Sequence, residues 1–242
     1  MSTGLPGPLG IARARRLERE GFVLLPPGYL DDRVLTESRQ PVLGSSAGAG
    51  GELPVRAVTE VAHHPDLLGL ARQVVGAGAV PVSARSHVNA ARGGTLVGDW
   101  HRNLTWGRPG GPPAAISVVL VLETFEAETG LLGLVPRTHH ASRSVVGQVP
   151  RQVTSLSASP TTLLSEARSA VGTDLLADLV GAEGVVAPPW SPGAALVYDP
   201  RLVHTGVPNL LPFPVRTLAI TYAFDEVCRE DVAPESWDCP AC

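Results

Sequence analysis

The chain has 242 residues, 44% of them hydrophobic and 17% charged, with a formal net charge of −4, which suits a single globular domain with its own core and gives no electrostatic case for nucleic acid or an anionic membrane as partner. Every basic side chain is Arg, so a Schiff-base lysine and a phosphate-cradling P-loop are both excluded. The N-terminus is Gly/Pro-rich and then Arg/Glu-rich, and no apolar run approaches the ~20 residues of a membrane span, so a cytoplasmic protein is expected.

Leu9 to Glu20 sets Ile11, Ala14 and Leu17 among Arg and Glu, the pattern of a short amphipathic helix, and Gly21 stops it. Phe22-Val23-Leu24-Leu25 reads as a strand closed by Pro26-Pro27-Gly28. Asp31 or Asp32 can cap a second helix running to about Leu43. Gly44 to Gly51 is a Gly/Ser/Ala-rich stretch expected to be mobile. Pro65 opens a further helix with Leu67, Leu68, Leu70 and Val74 as its buried stripe, ended by Gly76 or Gly78.

From Val80 the periodicity changes. Short β-rich runs at Val80–Ala90, Ala114–Leu122, Leu131–Val135, Val185–Ala187, Ala194–Tyr198 and Arg216–Phe224 are punctuated by Gly, Pro and Asn, as in a barrel or jelly roll. Thr161 to Val180 interrupts them with a helical pattern, an insertion of the kind that forms lids and substrate loops. Helices do not alternate with strands, so the class is mainly β (α+β) and not α/β. One domain is expected over 1–242, with a helical part at 1–79, a β core at 80–226, the helical insertion at 161–180 and a tail at 227–242. That tail holds Cys239 and Cys242 in CxxC spacing, close after Cys228. Without a second pair or a strand-helix context, two exposed thiols are the expectation.

Chemistry concentrates in Gly98-Asp99-Trp100-His101-Arg102-Asn103, in Val203-His204-Thr205-Gly206, and in Arg216. Residues i and i+2 at a strand end share a side, so a His and a residue two positions on can reach one metal. Two imidazoles and one carboxylate on one face of Fe(II) leave three positions for cosubstrate and oxygen, and an Arg on a later strand can hold a far carboxylate bidentately.

These segments resemble the phytanoyl-CoA dioxygenase family. Thr129-Gly130-Leu131-Leu132 with Pro136-Arg137-Thr138-His139 is similar to its hairpin, Pro192-Gly193-Ala194 to its later turn, and Val203-His204-Thr205-Gly206-Val207-Pro208-Asn209 to its distal His run. The likeness extends from Gly21 to Phe224. It implies a double-stranded β-helix (jelly roll, cupin-like) with N-terminal helices packed outside, and Fe(II) and 2-oxoglutarate as cofactors. It further implies His101 and His204 as metal ligands and Arg216 as the cosubstrate clamp, with Thr205 beside the site and Asn89 facing cosubstrate or substrate. His139 corresponds to a residue that supports the hairpin. Trp100, Arg102 and Trp106 lie near the site in sequence and are expected to shape the substrate pocket, with barrel packing as the other reading of both Trp residues.

The family's acid position is Asn103 here. An amide oxygen can ligate a hard cation, but it is neutral and donates less to Fe(II) than a carboxylate. Three readings follow. The site binds iron through His101, His204 and Asn103 and oxidises a small molecule; the scaffold has left oxygenase chemistry and serves as a partner subunit or metal-independent catalyst; or Asp99 supplies the carboxylate. Halogenases of related type carry Gly or Ala at the acid position, and Asn is larger than either. The first reading is expected. An Ala/Gly/Val-heavy, Arg-only composition points to a GC-rich genome, where natural-product tailoring is a common role.

Overall fold

The computed structural model describes residues 9–30, 33–36, 60–89, 91–93, 99–103, 113–122, 132–140, 168–191 and 193–224. Its first helix, α1 (Ile11–Glu20), buries Leu17 and ends where Gly21 turns left-handed at φ 83°, its amide donating to Leu17 O at 2.8 Å. Strand β1 (Phe22–Leu25) follows. Helix α2 (Pro65–Val74) begins with Pro in its first turn, and the His64 ring accepts from the Asp66 amide; Leu67, Leu70 and Ala71 are its buried stripe. Then come β2 (Ala79–Asn89), β3 (His101–Asn103), β4 (Ala115–Val121), β5 (Leu132–Val135), β6 (Arg168–Ala170), helix α3 (Thr173–Glu183), β7 (Ala195–Tyr198), β8 (Val203–Gly206) and β9 (Val215–Phe224).

The strands form two antiparallel sheets, β1-β7-β4-β9-β2 and β5-β8-β3-β6. Alternation along each strand sorts its residues to two faces. On the larger sheet, Ile116, Val118, Leu120, Leu218, Ile220 and Tyr222 pack against α1 and α2 in the main core. Their neighbours Val119, Val121, Val215 and Ala219 face the other way, toward Leu134 and Leu202 of the smaller sheet and its turn. The outer face of the smaller sheet, with Val135 and Val203, is covered by Leu175, Leu176 and Leu179 of α3. Two sheets packed face to face, one backed by N-terminal helices and the other by α3, make the double-stranded β-helix that the sequence implies.

Two elements differ from expectation. Arg168–Ala170, inside the stretch read as helical, is the edge strand β6 paired with β3, and the helix begins only at Thr173. The run at Val185–Ala187 contributes a single bridge, Val186 to Leu134. Of the second expected helix only 33–36 is described, and it is helical; Gly44–Gly51 and the cysteine-bearing tail lie outside the described residues. Among the described residues no helix is long and apolar enough to cross a membrane.

Gly21 is the position where backbone conformation and space both demand glycine. A Cβ there would lie 2.6 Å from His139 Nδ1 and 2.7 Å from Leu202 Cδ1, on a left-handed backbone. Gly21→Ala is expected to cost about 2 kcal/mol or more, from left-handed strain and overpacking. The urea midpoint measures it, and an unchanged midpoint would contradict this placement.

Candidate active site

Strand pairing sets His101 directly opposite His204, joining β3 to β8. Their ring centroids are 4.3 Å apart with the planes tilted by 52°. His204 shares its face with Leu134, its partner across β5, and its ring meets the edge of Tyr198 at 5.1 Å. Because Leu134 and Tyr198 belong to the cluster between the sheets, both imidazoles face the barrel interior. Asn103 follows His101 by two residues on the same strand, so it lies on the same face, 3% exposed.

Each imidazole is oriented through its Nδ1. His204 Nδ1 lies 2.8 Å from Leu202 O, and His101 Nδ1 lies 2.8 Å from Asp99 O. A carbonyl only accepts, so Nδ1 carries the proton in both rings and the lone pair sits on Nε2. This is the usual preparation of a histidine ligand, whose other nitrogen is fixed by a backbone carbonyl. Asp99, the alternative source of a carboxylate, contributes to His101 through its main-chain carbonyl. The Asp99 side chain is exposed, and among the described residues no third His, Cys, Asp or Glu joins the two imidazoles.

The neighbours expected around the site mostly face elsewhere. Trp100 packs with Val135, Val171 and Val203 beneath α3, on the outer face of the smaller sheet. Thr205 alternates with His204 and lies on that same outer side, where its methyl, Val207 and Trp100 surround Gly133. Arg102, between His101 and Asn103, is buried and donates through Nη2 to Thr138 O. Burial pulls its guanidinium down to about 10, against the opposing pull of Asp199. None of these three lines the interior, because successive residues of a strand point to opposite faces. Trp106 lies outside the described residues.

The register of β9 places Arg216. Its carbonyl accepts from Leu122 at 3.0 Å, and Thr217 pairs with Val121. Pairing is regular along β9, with Ser117 and Thr221 sharing a 2.8 Å hydroxyl contact on the inward face. Val215 and Thr217 are therefore inward, and Arg216 falls on the face of Leu218, Ile220 and Tyr222, backed by the helices. The same register sets Asn89 opposite Val215, an inward position on β2.

His139 and His140 stack at 3.8 Å, and each donates from Nε2 to Glu18 O at 3.0 Å, satisfying the end of α1. Burial holds the His139 ring below the ordinary imidazole range. Both serve the helix end. Asn209, of the distal run, is fully buried; its amide donates to Asn89 O and Phe213 O at 3.0 and 2.9 Å, tying the β8–β9 loop to the end of β2. Tyr198 escaped the sequence reading, although its place one residue before the turn that leads to His204, on a strand alternating Leu196 inward with Val197 outward, carries the signal.

An interior imidazole pair across two β-helix strands defines the class of site found in non-haem iron oxygenases. The sequence pattern of the phytanoyl-CoA dioxygenase (PhyH) family matches residues 28–216, and the chain belongs to that family, whose metal and cosubstrate are Fe(II) and 2-oxoglutarate. Among curated relatives, ectoine dioxygenase of Halomonas elongata is 26% identical over 253 residues, covering 94% of this chain and 74% of its own. Ectoine dioxygenase of Sphingopyxis alaskensis is 26% identical over 206 residues, 84% of this chain and 65% of its own. The iron-bound crystal structure of the S. alaskensis protein superposes with a TM-score of 0.61 at 18% identity, covering 92% of this chain and 79% of that one. The non-haem, α-ketoglutarate-dependent epimerase SnoN from nogalamycin biosynthesis gives 0.60 at 15% identity, over 94% and 91%.

Proposed function

We propose that the protein oxidises a small molecule, as a natural-product tailoring enzyme, using Fe(II) held by His101, His204 and the Asn103 amide together with 2-oxoglutarate. The observation carrying this reading is the imidazole pair. Two imidazoles on adjacent positions of one ion have centroids roughly 4–5 Å apart, given metal–nitrogen distances of about 2.0–2.1 Å, and 4.3 Å is found. Both rings carry the tautomer that ligates through Nε2. The donor set fits a divalent ion at two positions, and residue 103 adds an oxygen without charge, so the dianionic cosubstrate carries more of the charge balance than it would beside a carboxylate.

Bound there, the iron and 2-oxoglutarate would supply the electrons that activate O2 to oxidise an unactivated C–H bond. The chain's own contribution is geometric. Val119, Val121, Leu196 and Leu134 make an apolar wall that excludes water. Tyr198 braces His204 by its edge contact, and Ser117, Thr217 and Thr221 put hydroxyls on the inward face of β4 and β9. Substrates of the relatives, ectoine among them, are candidates only by that likeness.

The test is an anaerobic titration with Fe(II) and 2-oxoglutarate, read by the visible metal-to-ligand charge-transfer band. Its appearance is expected; its absence in the wild type, at concentrations where the folded state is intact, would count for the non-oxygenase reading. In the same titration Arg216→Gln is expected to leave 2-oxoglutarate affinity within about twofold. A loss of about tenfold or more would show that β9 carries the clamp.

A further inference from the structure

The turn from β7 to β8 contains a buried ion pair that the proposed oxidation does not use directly. Asp199 is 3% and Arg201 7% exposed. The Arg201 amide donates to Asp199 Oδ1 at 2.8 Å, its Nε to the same oxygen at 3.0 Å, and its Nη2 to Oδ2 at 2.6 Å. One carboxylate therefore receives both the backbone and the side chain of a residue two positions on. An Asx turn and a guanidinium fork are combined in a single closed loop. The Leu202 amide donates to Asp199 O at 2.9 Å, and the Asp199 amide to Gly21 O at 2.8 Å, so the turn is fixed at both its ends.

What this turn presents is the notable point. Its third carbonyl beyond Asp199, Leu202 O, accepts the Nδ1 proton of His204 at 2.8 Å. The carbonyl between the paired residues, Pro200 O, accepts the Asn103 backbone N–H at 2.9 Å. Four consecutive residues thus orient one imidazole and the backbone of the residue beside the other. A third buried polar residue, Arg102, lies within the field of both Asp199 and Arg201, and its anchor Thr138 accepts the Val203 amide at 2.9 Å through Oγ1.

Burying a charge pair costs several kcal/mol of desolvation, and such pairs are often no more stabilising than a well-packed apolar substitute. Stability alone is thus a poor reason for a buried fork in this turn between the two sheets. Its geometric output, two carbonyls aimed at two site residues, is a better one. We propose that the Asp199–Arg201 fork is the positioning device of the site: by locking the 199–202 turn it holds Leu202 O on Nδ1 of His204 and Pro200 O on the backbone N–H of Asn103, so that Nε2 of His204 and residue 103 are presented together. This inference builds on the proposed metal site, but its first consequence, the His204 tautomer, exists without metal.

The experiment compares the wild type with Arg201→Lys, which keeps the charge and loses the fork, and with Asp199→Asn as second variant. The His204 tautomer is read in the metal-free proteins by 15N–1H multiple-bond NMR, and Fe(II) affinity anaerobically; thermal melting reports the folded fraction. The wild type is expected to show the Nδ1–H form, and the variants a mixture with Nε2–H. Fe(II) affinity is expected to fall by about 10–100-fold in the variants, the range for loss of a group that orients a ligand. If both folded variants keep the Nδ1–H form, the proposal is overturned. If Arg201→Lys unfolds the protein, Asp199→Asn decides by the same two readings. Failure of the wild type to bind Fe(II) would sink the proposed function alone, and the tautomer comparison would still decide this inference.

Discussion

Replacing His204 with Ala is expected to lower Fe(II) affinity by more than about 100-fold, beyond the 10–100-fold range for residues that only orient a ligand, and to abolish oxidation. His204 is one of two imidazoles opposed across β3 and β8, and no other His, Cys, Asp or Glu among the described residues stands by to replace it. The side chain is buried against Leu134 and Tyr198, so Ala also leaves a void. His204→Gln, closer in volume, separates lost ligation from lost packing. Both variants should fail to develop the charge-transfer band, while only Ala should lower the melting temperature appreciably. Retention of Fe(II) affinity in folded His204→Gln would mean that the imidazole pair is not a metal site, and the reading of a redox-free descendant would take its place.

Asn103→Asp is expected to tighten Fe(II) binding at least about tenfold, about 1.4 kcal/mol. The change is nearly isosteric, at a position sharing a strand face with His101, and it supplies the charge that two neutral imidazoles lack. The gain is partial because the carboxylate must be buried, a cost that the metal-free protein bears without compensation. The variant should therefore melt lower than the wild type without metal and gain more on adding Fe(II). Calorimetric titration and paired melting curves give both numbers. Unchanged affinity would show that residue 103 does not address the metal, whatever its strand position.

The fold was largely legible because each element announces itself by local physics. Leu17 and Gly21 mark α1, Pro65 marks α2, and apolar runs broken by Pro, Gly and Asn mark the strands. Edge strand β6 was not legible: three residues between a helix-like run and α3 pair only with β3, and nothing in Arg168-Ser169-Ala170 distinguishes them. The imidazole pair was legible since His101 and His204 sit in recognisable runs. Its surroundings were less legible, because nearness in sequence does not give the face of a strand. Trp100, Arg102 and Thr205 each adjoin a site residue along the chain, and a strand sends neighbours to opposite faces. For Arg216 the same holds: which of Val215 and Arg216 turns inward depends on the register of β9 with β4, and that is set by pairing rather than by the residue itself. The Asp199–Arg201 fork was missed because a D-x-R spacing is common and gains meaning only from the two carbonyls it aims.

The order of strands in the larger sheet has a kinetic consequence. β1 pairs with β7, and β2 with β9, so the first strands of the chain wait for the last. Such non-local pairing places folding toward the millisecond-to-second end of the range for small domains. Positions 101 and 204 lie far apart in sequence and meet only when β3 pairs with β8, so the unfolded chain does not hold the two imidazoles together. An ion that binds the closed form alone then acts as a fold-selective ligand, adding about 2.7 kcal/mol when free metal is a hundred times its dissociation constant. At such concentrations the proposed metal would raise the folded fraction of the chain.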